Sequence, residues 1–280
     1  MQISPKLILP STGPVIDAPQ TDLVVLLSRL EWIKGPSEWE NTINFQPLRE
    51  FGRWRELRRG IFQNNNVGNI IIFIEETGNG LLLDPDPCIW LNWNASCQAV
   101  HADFDMLEHL AGLKTIDYLL ITHYHGDHIQ FAPLLRERYG AKIATTTNIA
   151  FILKYPRKFR YPCTLDWYGF TFATLDCDVL LEYGNPLFWH GNVVTPIHTP
   201  GHCYAHTGFL LEWNGEKIAC TGDALQYGSG LIRVDWPIIY NDVAWPGGSL
   251  LITLRKLANP VHPDGTDNEK RNAGNSTVPG

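Results

Sequence analysis

Directly after an apolar run at residues 116–122, the chain reads His123-Tyr124-His125-Gly126-Asp127-His128: three histidines and an aspartate within six positions. Neutral imidazoles and a carboxylate are the ligands that take up zinc and iron, and core packing gives no reason to crowd them together. The bland alternative, a polar surface loop after a strand, explains this density poorly. In an extended segment His123 and His125 point the same way and can meet one ion, while the Gly126 turn brings Asp127 and His128 towards a neighbouring position. Such a loop needs a rigid sheet beneath it.

Strand and helix signals alternate through the middle of the chain. Residues 70–74 form an apolar, mostly β-branched run, Thr77-Gly78-Asn79-Gly80 is turn chemistry, and Leu81-Leu82-Leu83 ends at Asp84, which predicts a buried hairpin. Residues 105–113 carry a helical period, 131–139 carry another closed by Gly140, and 142–144 begin a further strand. Asn214-Gly215 between the runs 207–213 and 216–221 is the two-residue loop of a type I′ hairpin, and 249–258 predicts a last helix. Two sheets with helices outside, or one sheet covered on both faces, both satisfy this pattern.

Upstream, Arg49, Arg53, Arg55, Arg58 and Arg59 stand against Glu50 and Glu56, with Phe51, Trp54 and Leu57 between them, a spacing that predicts an arginine-rich helix. Residues 1–20 carry four prolines and read as an extended arm, and 22–32 suit either a short helix or a strand. The expected division is therefore an N-terminal extension at 1–64 (arm plus arginine-rich helix), a main domain at 65–262, and a polar tail at 263–280 with too little apolar surface to fold.

A net charge of −7 over 280 residues, with 44% hydrophobic and 18% charged residues, describes a globular chain without the basic footprint of a nucleic-acid binder. No apolar run reaches the roughly 18 residues that a membrane helix needs, and the first residues lack the pattern of an export signal. The expectation is a cytoplasmic protein with no membrane partner. The six cysteines (Cys88, Cys97, Cys163, Cys177, Cys203 and Cys220) form no C-x-x-C pair and suit reduced thiols.

Two further segments place ligand-type residues just past strand ends: His198-Thr199-Pro200-Gly201-His202, and Thr221-Gly222-Asp223. Together with Asp84 and the H-x-H-x-D-H loop, in this order, they resemble the metallo-β-lactamase superfamily over roughly residues 65–262. That resemblance implies an α+β fold, a four-layer αββα sandwich. It implies a first metal on His123, His125 and His202, a second on Asp127 and His128, and Asp223 bridging both. Asp127 and Asp223 would be the catalytic carboxylates. Asp84 would orient a ligand histidine from behind, or only cap a strand. His262, the only histidine after Asp223, is the candidate last ligand, although Val261-His262-Pro263-Asp264-Gly265 departs from the family's usual Pro-Gly-His-Gly-like ending. The second site would then be short of a ligand.

His198, His206 and Tyr227 are candidates for supporting the ligands or touching substrate, each with a structural role as the alternative. Trp90, Trp93, Trp167, Trp189, Trp236 and Trp245 fall in loops expected around the site. The activity implied is hydrolysis of an ester, thioester, lactone or similar small molecule by a hydroxide on two zinc ions, with iron or manganese as alternative metals. Two other readings stay open: a mononuclear iron dioxygenase resembling persulfide dioxygenases, and a catalytically silent metal-binding module on the same fold. Substrate and oligomeric state are not legible in the sequence.

Overall fold

A computed structural model describes residues 7–10, 16–17, 46–64, 70–86, 92–159, 161, 163–165, 172–203, 205–224, 226–228 and 231–233, with backbone alone for 7–10, 16–17, 226–228 and 231–233. The first eight-stranded sheet contains β3 (Arg49–Phe51), β4 (Trp54–Arg58), β5 (Ile61–Asn64), β6 (Ile71–Ile74), β7 (Asn79–Leu83), β8 (Thr115–Leu120), β9 (Lys142–Thr146) and β10 (Val179–Leu181). Its spatial order is β10-β9-β8-β7-β6-β5-β4-β3. The second sheet contains β1 (Leu7–Pro10), β2 (Ile16–Asp17), β11 (Leu187–Trp189), β12 (Asn192–His198), β13 (Thr207–Trp213) and β14 (Glu216–Gly222), in the order β11-β12-β13-β14-β1-β2. A separate hairpin pairs β15 (Gln226–Gly228) with β16 (Leu231–Arg233).

Strands β3 to β7 are joined as antiparallel neighbours, whereas β7, β8 and β9 run parallel and need crossovers. Those crossovers are helices: α1 (Trp93–Met106), which continues as a π-turn at Leu107–Ala111, and α2 (Ala132–Tyr139); α3 (Thr147–Lys154) follows β9. Asn92 caps α1 by accepting from the Ala95 amide, so the helix starts well before the stretch that carries its clearest period. Gly140 closes α2 at φ 68, in the left-handed region where a glycine costs nothing.

The unbroken apolar run 70–74 is explained by burial on both faces. Ile70, Ile72 and Ile74 pack with Val100, Phe104, Leu135 and Ile152 of the helices, while Ile71 and Phe73 pack with Phe209, Leu211 and Ile218 of the second sheet. Each such side chain contributes about 1.5–3 kcal/mol on burial. Leu210 and Ala219, on the opposite face of the second sheet, are buried as well, as a covered outer face requires. The architecture is the αββα sandwich. Among the described residues no helix is long and apolar enough to cross a membrane.

Three expectations are corrected. The arginine-rich segment is a hairpin, β3–β4, with Arg49 opposite Glu56 and Glu50 opposite Arg55. Gly52 and Gly60 occupy turns at φ 56 and 76, which break the helical period, and the charges pair across strands. The expected boundary at residue 65 consequently falls inside the first sheet, since β5 pairs with β6. The arm at 7–10 is extended as expected, but it is a strand lying parallel to β14. Finally, Trp93 and Trp189 are not in loops: Trp93 lies in α1, stacked on Phe131 at 5.4 Å, and Trp189 is buried in β11. The other four tryptophans, residues 22–32, the helix at 249–258 and the tail at 263–280 lie outside the described residues.

Candidate metal centre

The parallel strands β7 and β8 deliver Asp84 and the histidine loop to one edge of the first sheet, while β12 and β14 deliver the His202 turn and Asp223 from the second. The edges are tied where the Thr207 amide donates to the Thr122 carbonyl at 2.7 Å, and His123 forms a bridge with His206. A short 3-10 turn at Gly126–His128 swings His128 back beneath the loop. Its entry is held by the Gly126 amide, which donates to the Cys163 carbonyl at 3.1 Å.

Two groups of donor atoms converge, each within 4.8 Å: His123, His125 and His202, and His123, His128 and Asp223. All five side chains are buried. Nε2 of His202 lies 2.9 Å from Nδ1 of His125. One oxygen of Asp223, Oδ2, lies 3.2 Å from Nε2 of His128, 3.6 Å from Nε2 of His202 and 4.0 Å from Nε2 of His123, so the carboxylate faces members of both groups. Asp127 is half-buried in the 3-10 turn and belongs to neither group.

Asp84 stands immediately behind. Its backbone adopts φ 47, a left-handed conformation that aspartate tolerates better than most residues. One carboxylate oxygen accepts from the Thr122 amide at 2.9 Å; the other accepts from the Thr122 hydroxyl at 2.8 Å and lies 3.1 Å from Nδ1 of His128. One side chain thus contacts both Thr122 and His128.

Burial, then the neighbouring imidazoles, pushes His123 and His125 well below the usual 6.5 and keeps them neutral. His128 goes the other way: burial opposes its charge, but Asp223 and Asp84 together outweigh that and raise it well above 6.5. Nε2 of His123 is fully buried with no hydrogen-bond partner among the described residues. A buried polar atom left so costs roughly 1–3 kcal/mol, and a metal ion would satisfy it. Neutral imidazoles converging on a carboxylate fit a divalent cation of the zinc, iron or manganese type.

His206 lies against the centre, its Nδ1 2.8 Å from the Thr199 hydroxyl and its ring 4.9 Å from that of His123. The ring of His198 is half-buried and packs at 4.8 Å against Tyr183. The backbone of Tyr227 is in β15, and its side chain, like all of His262, lies outside the described residues. Reading the sequence passed over Thr122 and Thr199, whose hydroxyls touch His123 and His206; the one signal available was adjacency to a ligand segment at a strand end.

The family model of the metallo-beta-lactamase superfamily matches residues 99–262. A hydroxyacylglutathione hydrolase of Acidiphilium cryptum (strain JF-5) is 33% identical over 110 residues, 39% of this chain and 35% of its own length. The hydroxyacylglutathione hydrolase GloC of Haemophilus influenzae is 30% identical over 125 residues, 42% of this chain and 54% of its own. The match thus spans about a third to a half of the length of these curated relatives. Among solved structures, a HARLDQ motif mutant of a Cronobacter sakazakii metallo-beta-lactamase is similar with a TM-score of 0.49 at 17% identity, over 76% of this chain and 73% of that one. Because the family model covers more than half of the 280 residues, the chain belongs to the metallo-beta-lactamase superfamily.

Proposed function

We propose that the chain is a metal-dependent hydrolase with two zinc sites, acting on a thioester, ester or lactone of small-molecule size. The observation that carries this reading is the position of Asp223, one oxygen of which faces His202 of one donor group and His128 of the other. His123, His125 and His202 would hold one ion; His128 and Asp127 would hold the other, with Asp223 between them and His262 as the remaining candidate. Zinc bound there supplies a water acidic enough to attack at neutral pH and positive charge to face an oxyanion. The chain's own part is orientation: Asp84 and Asp223 grip the two nitrogens of His128, and burial keeps His123 and His125 in the neutral state that coordination requires.

The two curated relatives bear the name hydroxyacylglutathione hydrolase, which favours a thioester as the first substrate to try. The experiment is a panel of a hydroxyacylglutathione, simple esters and lactones, run on zinc-reconstituted protein. Turnover that vanishes on chelation is the expected result, and a fully loaded protein inert on the whole panel contradicts the proposal. A second reading has its own support: His123, His128 and Asp223 make a set of two imidazoles and one carboxylate, the donor set of a single-iron oxygenase. Oxygen uptake by iron-loaded protein with glutathione persulfide would select it.

A further inference from the structure

Thr122 is fully buried and has all of its polar groups engaged. Its amide donates to Oδ1 of Asp84 at 2.9 Å, and its carbonyl accepts from the Thr207 amide at 2.7 Å. Its hydroxyl donates to Oδ2 of Asp84 at 2.8 Å while standing 2.9 Å from Nδ1 of His123. A hydroxyl has one hydrogen, and an ionised carboxylate only accepts. The bond to the carboxylate is charge-assisted and therefore the stronger, so the hydrogen stays with Asp84. The hydrogen shared with His123 must then come from the ring. That makes His123 the tautomer with N–H at Nδ1 and a lone pair at Nε2, the atom 4.0 Å from Asp223 and without a hydrogen-bond partner among the described residues.

The second sheet fixes the hydroxyl in place. A Cβ built on Gly222, at φ +50, would lie 2.8 Å from Oγ1 and 2.9 Å from Cβ of Thr122. Only a glycine lets the end of β14 close over this threonine and still lead straight into Asp223.

We propose that Thr122 is a positioning residue: its hydroxyl relays the Asp84 carboxylate to His123 and sets the tautomer in which that histidine takes up metal. Asp84 thereby orients a member of each donor group, His128 by direct contact and His123 through one hydroxyl. The inference rests on the metal-site reading above but not on the reaction catalysed there.

The test is nitrogen-15 NMR of the histidine rings in the metal-free 280-residue chain at mildly alkaline pH, with zinc affinities of wild type, Thr122→Val and Thr122→Ser from chelator competition. Expected are N–H at Nδ1 of His123 in the wild type and zinc binding weakened about tenfold or more in T122V, which keeps the shape and loses the hydroxyl; T122S should stay within about threefold of wild type. N–H at Nε2 of His123 in the wild type, or wild-type zinc affinity in T122V, overturns the proposal. The wild-type spectrum decides the matter even if T122V does not fold. Failure of the hydrolase reading looks different: zinc-loaded wild type inert on substrates, with tautomer and T122V defect intact.

Discussion

Nδ1 of His128 lies 3.1 Å from the Asp84 carboxylate beneath the histidine loop. With Asp223 3.2 Å from the other ring nitrogen, the two carboxylates hold His128 protonated well above its ordinary range in spite of complete burial. Metal that takes Nε2 must therefore displace a proton near neutral pH. Zinc affinity should rise with pH across the neutral range, and calorimetry in buffers of different ionisation enthalpy should register the released proton. A binding heat independent of the buffer contradicts this.

The metal-free protein should lose stability in acid. His123, His125 and His206 are depressed by burial first and then by neighbouring imidazoles. Below about pH 6.5 the unfolded chain protonates these rings and the folded chain does not, so their stabilising contribution is full above that pH and is lost as pH falls towards their folded values. The slope is on the order of 1.4 kcal/mol per pH unit for each ring that stays neutral. His128 has the opposite sign, its contribution full below about 6.5 and lost as pH rises through its raised value, so it adds no slope on the acid side. Thermal melts at pH 6.5 and 5 check the prediction, and an unchanged or higher Tm at pH 5 goes against it.

Substituting Asp84→Asn should weaken zinc binding by about 10–100-fold, because the amide cannot match the carboxylate's hold on His128 and Thr122. Chelator competition reads this directly. Wild-type affinity in D84N would reduce Asp84 to a strand cap.

The parts of the fold legible in the sequence were those where local chemistry and tertiary context agree. Asn214 and Gly215 adopt φ 50 and 80, as a type I′ turn demands, and the hairpin of β6 and β7 forms where its apolar runs and Thr77-Gly78 turn predict. The convergence of His123, His125, His128, His202 and Asp223 was legible because each follows a strand end. The segment 49–59 was misread because its apolar residues also fit a helical spacing; what decides is the partner strand, visible only in three dimensions, and the turn glycines Gly52 and Gly60. The Thr122 contact joins residues 38 positions apart through one hydroxyl, and no spacing in the sequence announces it.

The corrected N-terminal segment carries its own prediction. Arg53 reaches from the β3–β4 turn to Asp103 on α1, 2.6 Å away, and Asp103 is also bonded to Asn64, with its carboxyl raised by burial. Arg53→Met should cost about 3 kcal/mol in urea denaturation, since it leaves a buried carboxyl without its cation. A cost near zero would fit a dispensable extension instead of an integral part of the sheet.

The central claim is tested most directly by titrating zinc into metal-free protein while following hydrolysis of a hydroxyacylglutathione thioester. Turnover that appears with zinc and levels off at about two equivalents per chain is the predicted result. Saturation at one equivalent, or no turnover at any zinc content, would contradict a two-zinc thioester hydrolase.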